Sequence, residues 1–373
     1  MSDTLKPERL LSLDVFRGMT IALMILVNTP GSWSHVFPPL LHAKWHGATP
    51  TDMVFPFFLF IVGVSLYLSF VKFDNKLDAT ATKKILKRTL LIFLIGIALH
   101  WFPFTRSIDR LRIMGVLQRI AVAYGIGAFL SLSFDIKKLW KVGLGILIAY
   151  WAAMYFFGGA DPFSLENNLA RTFDLALFGE DHVWKGFGIP FDPEGLMSTF
   201  PAVVTIICGY YVGWLVKITT DKNILIKNLL LIGVSGIILG LIWNIYFPIN
   251  KGLWTSSYVI YTAGIACCVL AILIEIIDVK NYTKWTKPFQ VFGLNPLIIF
   301  VLSGFIVKIF FMVKWENGNG DNRNIYSWLF NDVYAQIFPD NLKIASLTFA
   351  LTMVSFCWLV GYLLYKRNII IKV

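Results

Sequence analysis

Charge is what this chain has least of. Only 15% of its 373 residues are Asp, Glu, Lys or Arg, against roughly a quarter in an ordinary soluble domain. That shortage excludes a soluble fold of normal surface polarity. Cysteine is scarce as well: Cys208, Cys267, Cys268 and Cys357 all fall inside apolar stretches. Their spacing fits neither a disulfide framework nor a metal site, so apolar packing accounts for them and they carry no information on redox compartment. Histidine occurs five times, which leaves few side chains able to move a proton near neutral pH. There is no fixed-period repeat and no low-complexity tract.

What the chain has in abundance is apolar surface. Hydrophobic residues make up 57% and aromatic residues 16%, and the mean hydropathy is +0.68. Apolar runs long enough to cross a bilayer, about 17–25 residues each, recur along the whole length. Ten are expected, near 13–31, 52–71, 89–103, 113–134, 142–158, 198–216, 228–247, 256–277, 289–312 and 343–365, the third and fifth short and the ninth interrupted. The expected fold is therefore an all-α polytopic membrane protein, a single bundle of about ten transmembrane helices over residues 1–373. Asp14, Arg17 and Asn28 interrupt the first run and no small-residue cleavage site follows it, so a retained span is expected there rather than a signal peptide.

The formal charge of +11 has a topological explanation. With the N-terminus in the cytoplasm, Lys and Arg crowd alternate connections: Lys6, Arg9 and Arg17; then Lys72, Lys76, Lys83, Lys84, Lys87 and Arg88; then Lys137, Lys138 and Lys141. Lys217, Lys222, Lys227, Lys280, Lys284, Lys287, Lys366, Arg367 and Lys372 continue the series. This is the positive-inside bias; it predicts cytoplasmic termini and makes nucleic acid an unneeded partner. All five histidines, His35, His42, His46, His100 and His182, then lie on the outer side, which points to proton chemistry at the outer mouth. Residues 159–197 form a long outer segment rich in turn formers and acids, among them Asp161, Asp174, Asp181, Asp192 and Glu194. The aromatic and apolar residues between the acids predict an ordered cap.

Ionisable side chains in spans are functional candidates by default. Asp14 and Arg17 are spaced to pair on one helix face, and Asn28 closes the same span with a neutral donor and acceptor. In RIMGVLQRI, Arg112 and Arg119 are seven residues apart with Gln118 beside the second. On one helix they would stack on a single face and suit a phosphate, or else pair with acids such as Asp52 or Glu194. In LLHAKWHGATPTD, His42 and His46 are spaced like metal ligands, but no Glu lies between them and Gly47 and Pro50 limit any helix. A base held by Trp45 and the Asp52 carboxylate is the better reading of His42, and no metal is expected.

The ordered blocks LDVFRG, VNTPG, HAKWHG with DMVFPFFLFIVG, RIMGVLQRI, LFGEDHVW, FDPEG, INKGLWTSSYV, FGLNP and WLVGYLLYKR resemble the heparan-alpha-glucosaminide N-acetyltransferase family, whose bacterial members have uncertain substrates. The resemblance covers about residues 9–373. It implies transfer of an acetyl group from cytoplasmic acetyl-CoA to an amino sugar on the outer side, at a bacterial inner membrane. His42 matches the family's active-site histidine and Asn28 its active-site asparagine; Lys44 and His46 depart from the usual serine and asparagine. On this reading His42, Asn28 and Asp52 are catalytic, while Arg112, Arg119 and Gln118 hold CoA. Asp181, Glu194, Trp45 and His46 then face the sugar. The lipid bilayer is the other partner, and a homodimer is allowed. An amino-sugar transporter, with Lys308 as its buried charge, and an O-acyltransferase acting on a cell-wall hydroxyl are the alternatives.

Overall fold

The computed structural model describes residues 10–105, 107–316 and 322–371. Lys6, Arg9, Lys372 and the side chain of Lys72 lie outside what it describes. The chain is an all-α bundle: α1 (Leu11–Asn28), α2 (Val54–Phe70), α3 (Ala79–Trp101), α4 (Val116–Ser133), α5 (Ile136–Phe157), α6 (Leu169–Phe178), α7 (Thr199–Ile218), α8 (Lys222–Trp243), α9 (Ser256–Leu273), α10 (Lys287–Leu294), α11 (Pro296–Met312) and a C-terminal helix, Leu342–Lys366. Eight described helices have the length and hydropathy of a span, or nine if α10 and α11, bent by 87°, are one broken span. The break falls where Pro296 follows Asn295, and a proline disfavours helical backbone in the residue before it.

The expected span near 89–103 is the outlier. Helix α3 begins at Ala79, capped by the Asp78 side chain on Ala81 N, and its first half carries Lys83, Lys84, Lys87 and Arg88. An apolar-run reading sees only the second half; the helix continues because these cations are good helix formers. The fourth expected span loses its start, because helix begins at Val116 after the extended Gly115.

Helices α2 and α7 lie at the centre of the bundle. They approach backbone to backbone: a Cβ on Gly63 would sit 2.0 Å from Ile206 O, and one on Gly209 would sit 1.9 Å from Phe60 O. At the periphery α5 and α8 expose Ile148, Phe156, Leu231 and Leu239, apolar faces that suit a hydrocarbon surround. Connections 29–53, 102–115, 158–198 and 244–255 gather at one end. Long-range bonds join them there, including Gly47 N to Ile249 O at 2.7 Å and Ile113 N to His182 O at 3.1 Å. Connections 71–78, 134–135, 219–221 and 274–286 gather at the other end.

Candidate active site

The His42 end is organised by one carboxylate. Pro50 starts a short 3-10 turn, Pro50–Met53, that leads into α2, and Asp52 is its third residue. Its side chain turns back to cap the turn: Oδ2 accepts from Thr49 N at 2.9 Å, Thr49 Oγ1 at 3.0 Å and Ala43 N at 3.0 Å. Oδ1 lies 2.7 Å from His42 Nδ1. A carboxylate only accepts, so Nδ1 carries the proton and Nε2 keeps its lone pair for chemistry. Asp52 is buried, whereas the His42 side chain is 40% exposed. Orienter and base are thus packed from below and open from above. The Tyr258 hydroxyl donates to Asp52 O from α9 and fixes the same turn.

A lysine stands beside this pair. Lys251 Nζ is 3.1 Å from His42 Nδ1, 3.4 Å from His42 Nε2 and 3.6 Å from Asp52 Oδ1. Burial lowers its pKa, with Asp52 and Glu194 pulling the other way. The backbone bearing it is held by the fully buried Asn250, whose Oδ1 accepts from Leu253 N at 2.9 Å and whose N donates to Thr255 Oγ1 at 3.1 Å. Gly47, at φ +98, forms a parallel bridge to Asn250; such a φ favours glycine. The sequence reading gave Lys251 no role. Its signal was available: INKGLW places a lysine on the side of the bundle that is otherwise poor in them.

The other expected site residues separate into groups. Trp45 donates Nε1 to Phe163 O at 2.8 Å and packs edge-on against Phe187 and Phe191, so it fastens the 159–197 segment over the site. His46 Nδ1 lies 3.4 Å from Asn250 Nδ2, and burial lowers its pKa against the pull of Asp161. Asn28 is exposed at the end of α1, where Nδ2 donates to Met24 O at 2.8 Å. Among the described residues no bond joins it to His42. Asp181 sits in an exposed pair with Lys185 at 3.1 Å, which depresses its pKa, and among the described residues no bond brings it to His42.

Arg112 and Arg119 do not share a helix face, because Arg112 precedes α4. Arg112 forks onto Asp192, Nε to Oδ2 at 2.8 Å and NH2 to Oδ1 at 2.6 Å, and also reaches Glu194 Oε2 at 2.7 Å. The two acids raise its pKa in spite of burial, and the Glu194 carboxyl is held low by Arg112 and Arg119 in spite of its own burial. Arg119 is fully buried, lies 4.9 Å from the Trp254 ring centroid, and donates to Ser198 Oγ and to Gly195 O. Gln118 is fully buried with Nε2 3.4 Å from His100 Nδ1. This set ties the DPEG block to the base of α4.

The opposite end of the bundle holds a cavity of about 490 Å³ lined by Arg17, Ser65, Lys84, Lys87, Arg88, Tyr124 and Asn295 among others. Among the described residues no acid is in its lining. The Arg88 guanidinium stands 4.7 Å from the Tyr124 ring centroid, and its buried Nε has no hydrogen-bond partner among the described residues. Arg17 pairs with Asp14 at 3.4 Å, as its spacing led one to expect, and donates to Ser65 Oγ and Gly293 O at 3.1 Å each. On α2 the lining reaches Phe58, six residues from Asp52 and so about 9 Å along the helix axis. Among the described residues no cluster of three or more His, Cys, Asp or Glu is placed to hold a metal ion.

A polytopic all-α membrane protein with an Asp–His pair at one end and an acid-free cationic cavity entering from the other is the class that fold and site define. Residues 9–216 match the family described as heparan-alpha-glucosaminide N-acetyltransferase, catalytic, and the chain belongs to that family. The heparan-alpha-glucosaminide N-acetyltransferase of Homo sapiens is 28% identical over 429 aligned positions, which cover 98% of this chain and 60% of that protein. That of Mus musculus is 28% identical over 369 positions, covering 83% of this chain and 55% of the mouse protein. The chain thus spans less than two thirds of the length of these curated relatives.

Proposed function

We propose that the protein is a membrane acetyltransferase that carries an acetyl group from cytoplasmic acetyl-CoA to the amine of a glucosamine-type sugar on the opposite side, with both termini cytoplasmic. The observation that carries this reading is His42, oriented on Asp52 by Nδ1, its ring 40% exposed with Lys251 beside Nε2, above a cationic cavity that ends about one and two-thirds helical turns below. A thioester is already activated, so the site must supply a base, a donor for the tetrahedral oxyanion and an anchor for the anionic carrier.

His42 Nε2 takes the proton of the attacking amine as the carbon–nitrogen bond forms. The carbon–sulfur bond then breaks, and the imidazolium returns the proton to the departing thiolate. Asp52 fixes the tautomer throughout. The anchor moves from the place the sequence suggested: Arg112 is already spent on Asp192 and Glu194, whereas Lys87 and Arg88 line an open cavity suited to CoA phosphates. Glu194, Trp45 and His46 stay at the acceptor side, and the second N–H of Asn28 is left as a polar contact there. Direct transfer fits better than an acetyl-histidine, which would hydrolyse beside an open cavity. Of the two features behind the transporter alternative, the broken α10–α11 span is present, whereas Lys308 Nζ caps α3 on the carbonyls of Leu99, His100 and Phe102 at 2.5, 2.9 and 3.0 Å.

The test is purified protein in detergent with labelled acetyl-CoA and a panel of amino sugars. Wild type is expected to transfer label to a glucosamine-type amine with no burst of free CoA before acceptor is added. His42→Ala is expected to abolish transfer and to retain acetyl-CoA binding. Full activity in His42→Ala would remove the active-site assignment, and a stoichiometric burst would replace direct transfer with an acyl-enzyme route.

A further inference from the structure

Lys251 is too well placed to be a bystander to the acyl transfer proposed above, and the inference drawn from it rests on that reading. The lysine lies against the imidazole within reach of both ring nitrogens, 3.1 Å from Nδ1 and 3.4 Å from Nε2. Its ion pair with Asp52 is a loose one. The separation there is 3.6 Å, beyond the roughly 2.7–2.9 Å of a charge-assisted bond. The Asp52 oxygens are already engaged by His42, Ala43, Thr49 N and Thr49 Oγ1. Its side chain keeps 21% exposure, so the ammonium opens onto the same space as His42 Nε2. Its backbone is clamped by Asn250, Leu253 and Thr255, a turn that a surface lysine would not need.

We propose that Lys251 is a catalytic residue whose ammonium hydrogen-bonds the thioester oxygen as it becomes the tetrahedral oxyanion. An attacking amine hydrogen-bonded to Nε2 stands about 3 Å from that nitrogen, and the carbonyl oxygen is two bonds from the amine once the new bond forms. An N–H donor 3.4 Å from Nε2 is within reach of that oxygen. As the amine lone pair bonds carbon, the carbonyl π pair moves onto oxygen and is held by the Lys251 N–H without proton transfer. The amine proton goes to His42. The pair returns to reform the carbonyl, and the carbon–sulfur electrons leave on the thiolate, which takes the proton from His42. Asn28, the donor expected from the sequence, has one N–H spent on Met24 O and no bond to His42. Burial, which weakens the ammonium's hold on its protons against the pull of Asp52 and Glu194 and with the aid of Arg119, makes it a stronger hydrogen-bond donor than a solvated lysine.

The test compares wild type, Lys251→Met, Lys251→Arg and Lys251→Cys, each as the full chain in detergent, in steady-state transfer from acetyl-CoA to glucosamine. Lys251→Met is expected to lose about 100-fold in kcat, as for deletion of one oxyanion donor, with KM for acetyl-CoA within about twofold. Lys251→Arg should keep part of the rate. Lys251→Cys should be as slow as Lys251→Met and regain at least about tenfold after aminoethylation with 2-bromoethylamine, which rebuilds an ammonium at the same reach. Wild type treated alike controls for the four native cysteines. A Lys251→Met enzyme within about threefold of wild-type kcat, or a Lys251→Cys defect that aminoethylation leaves untouched, overturns the role of Lys251 while His42→Ala, inactive in the same assay, keeps the acyltransferase reading. Absence of transfer by wild type itself overturns both.

Discussion

Two regions of this protein concentrate arginine and lysine, and they do opposite things with them. At the His42 end, Arg112 meets Asp192 and Glu194 at 2.6–2.8 Å, and Arg119 is sealed behind Trp254 with Ser198 and Gly195 as hydrogen-bond acceptors. At the other end Lys87 and Arg88, with Arg17 and Lys84, line about 490 Å³ of space whose wall holds no carboxylate among the described residues, although Arg17 pairs just outside it with Asp14 at 3.4 Å. The residue types are the same. A cation whose charge is balanced by buried acids is a clamp, and one that faces a void without acids is an anion receptor. Position along the chain does not distinguish the two; the neighbours do.

The comparison breaks most visibly at Arg112. Arg112→Ala leaves Asp192 and Glu194 buried without their partner, and the loss expected is about 3–5 kcal/mol of stability. Denaturation in detergent measures it, and a variant as stable as wild type would mean that the clamp does not hold the cap.

Asp174 sharpens the same side. It is a buried cap carboxyl whose Oδ1 accepts from Leu196 N at 3.0 Å and Met197 N at 3.1 Å, while Oδ2 has no hydrogen-bond partner. Burial raises its pKa to about 7. Since that exceeds the ordinary carboxylate value, the folded protein holds a proton that the unfolded chain releases between about pH 4 and 7. The stabilisation is full at the acid side of that window and is lost as pH rises through 7. From pH 5 to pH 8 wild type should lose about 2–3 kcal/mol more than Asp174→Asn does. Parallel slopes in the two pH–stability curves would show that Asp174 does not titrate there.

The smallest of these effects lies in the cavity. Lys87→Ala with Arg88→Ala should weaken CoA binding by at least about tenfold, or 1.4 kcal/mol, with melting temperature unchanged. Calorimetry with CoA decides it. Unchanged affinity, together with a large loss in Arg112→Ala, would return the donor anchor to the His42 end.

Much of the bundle was open to reading because transmembrane helices announce themselves locally. Runs such as 52–71, 256–277 and 343–365 reappear within a few residues as α2, α9 and the C-terminal helix. Helix α3 was half missed, because its first turns are cationic and a hydropathy reading stops where charge begins. In the site, the pairing of His42 with Asp52 was within reach because both belong to one connection, ten residues apart. Reading Arg112 and Arg119 as a helical pair assumed a helix that Gly115 delays.

By itself, then, the sequence determined the parts whose physics is local: which segments are apolar enough for a bilayer, how their flanking charges alternate, and that a histidine and a carboxylate share one mouth. Tertiary structure alone decided which charges meet. Lys251 comes to His42 from 209 residues away, and Asp192 comes to Arg112 from 80. The cavity is assembled from α1, α2, α3, α4 and the α10–α11 break. The reason is that burial of a span is governed by its own composition, whereas the worth of a charge depends on the partner and the dielectric that the rest of the chain places around it.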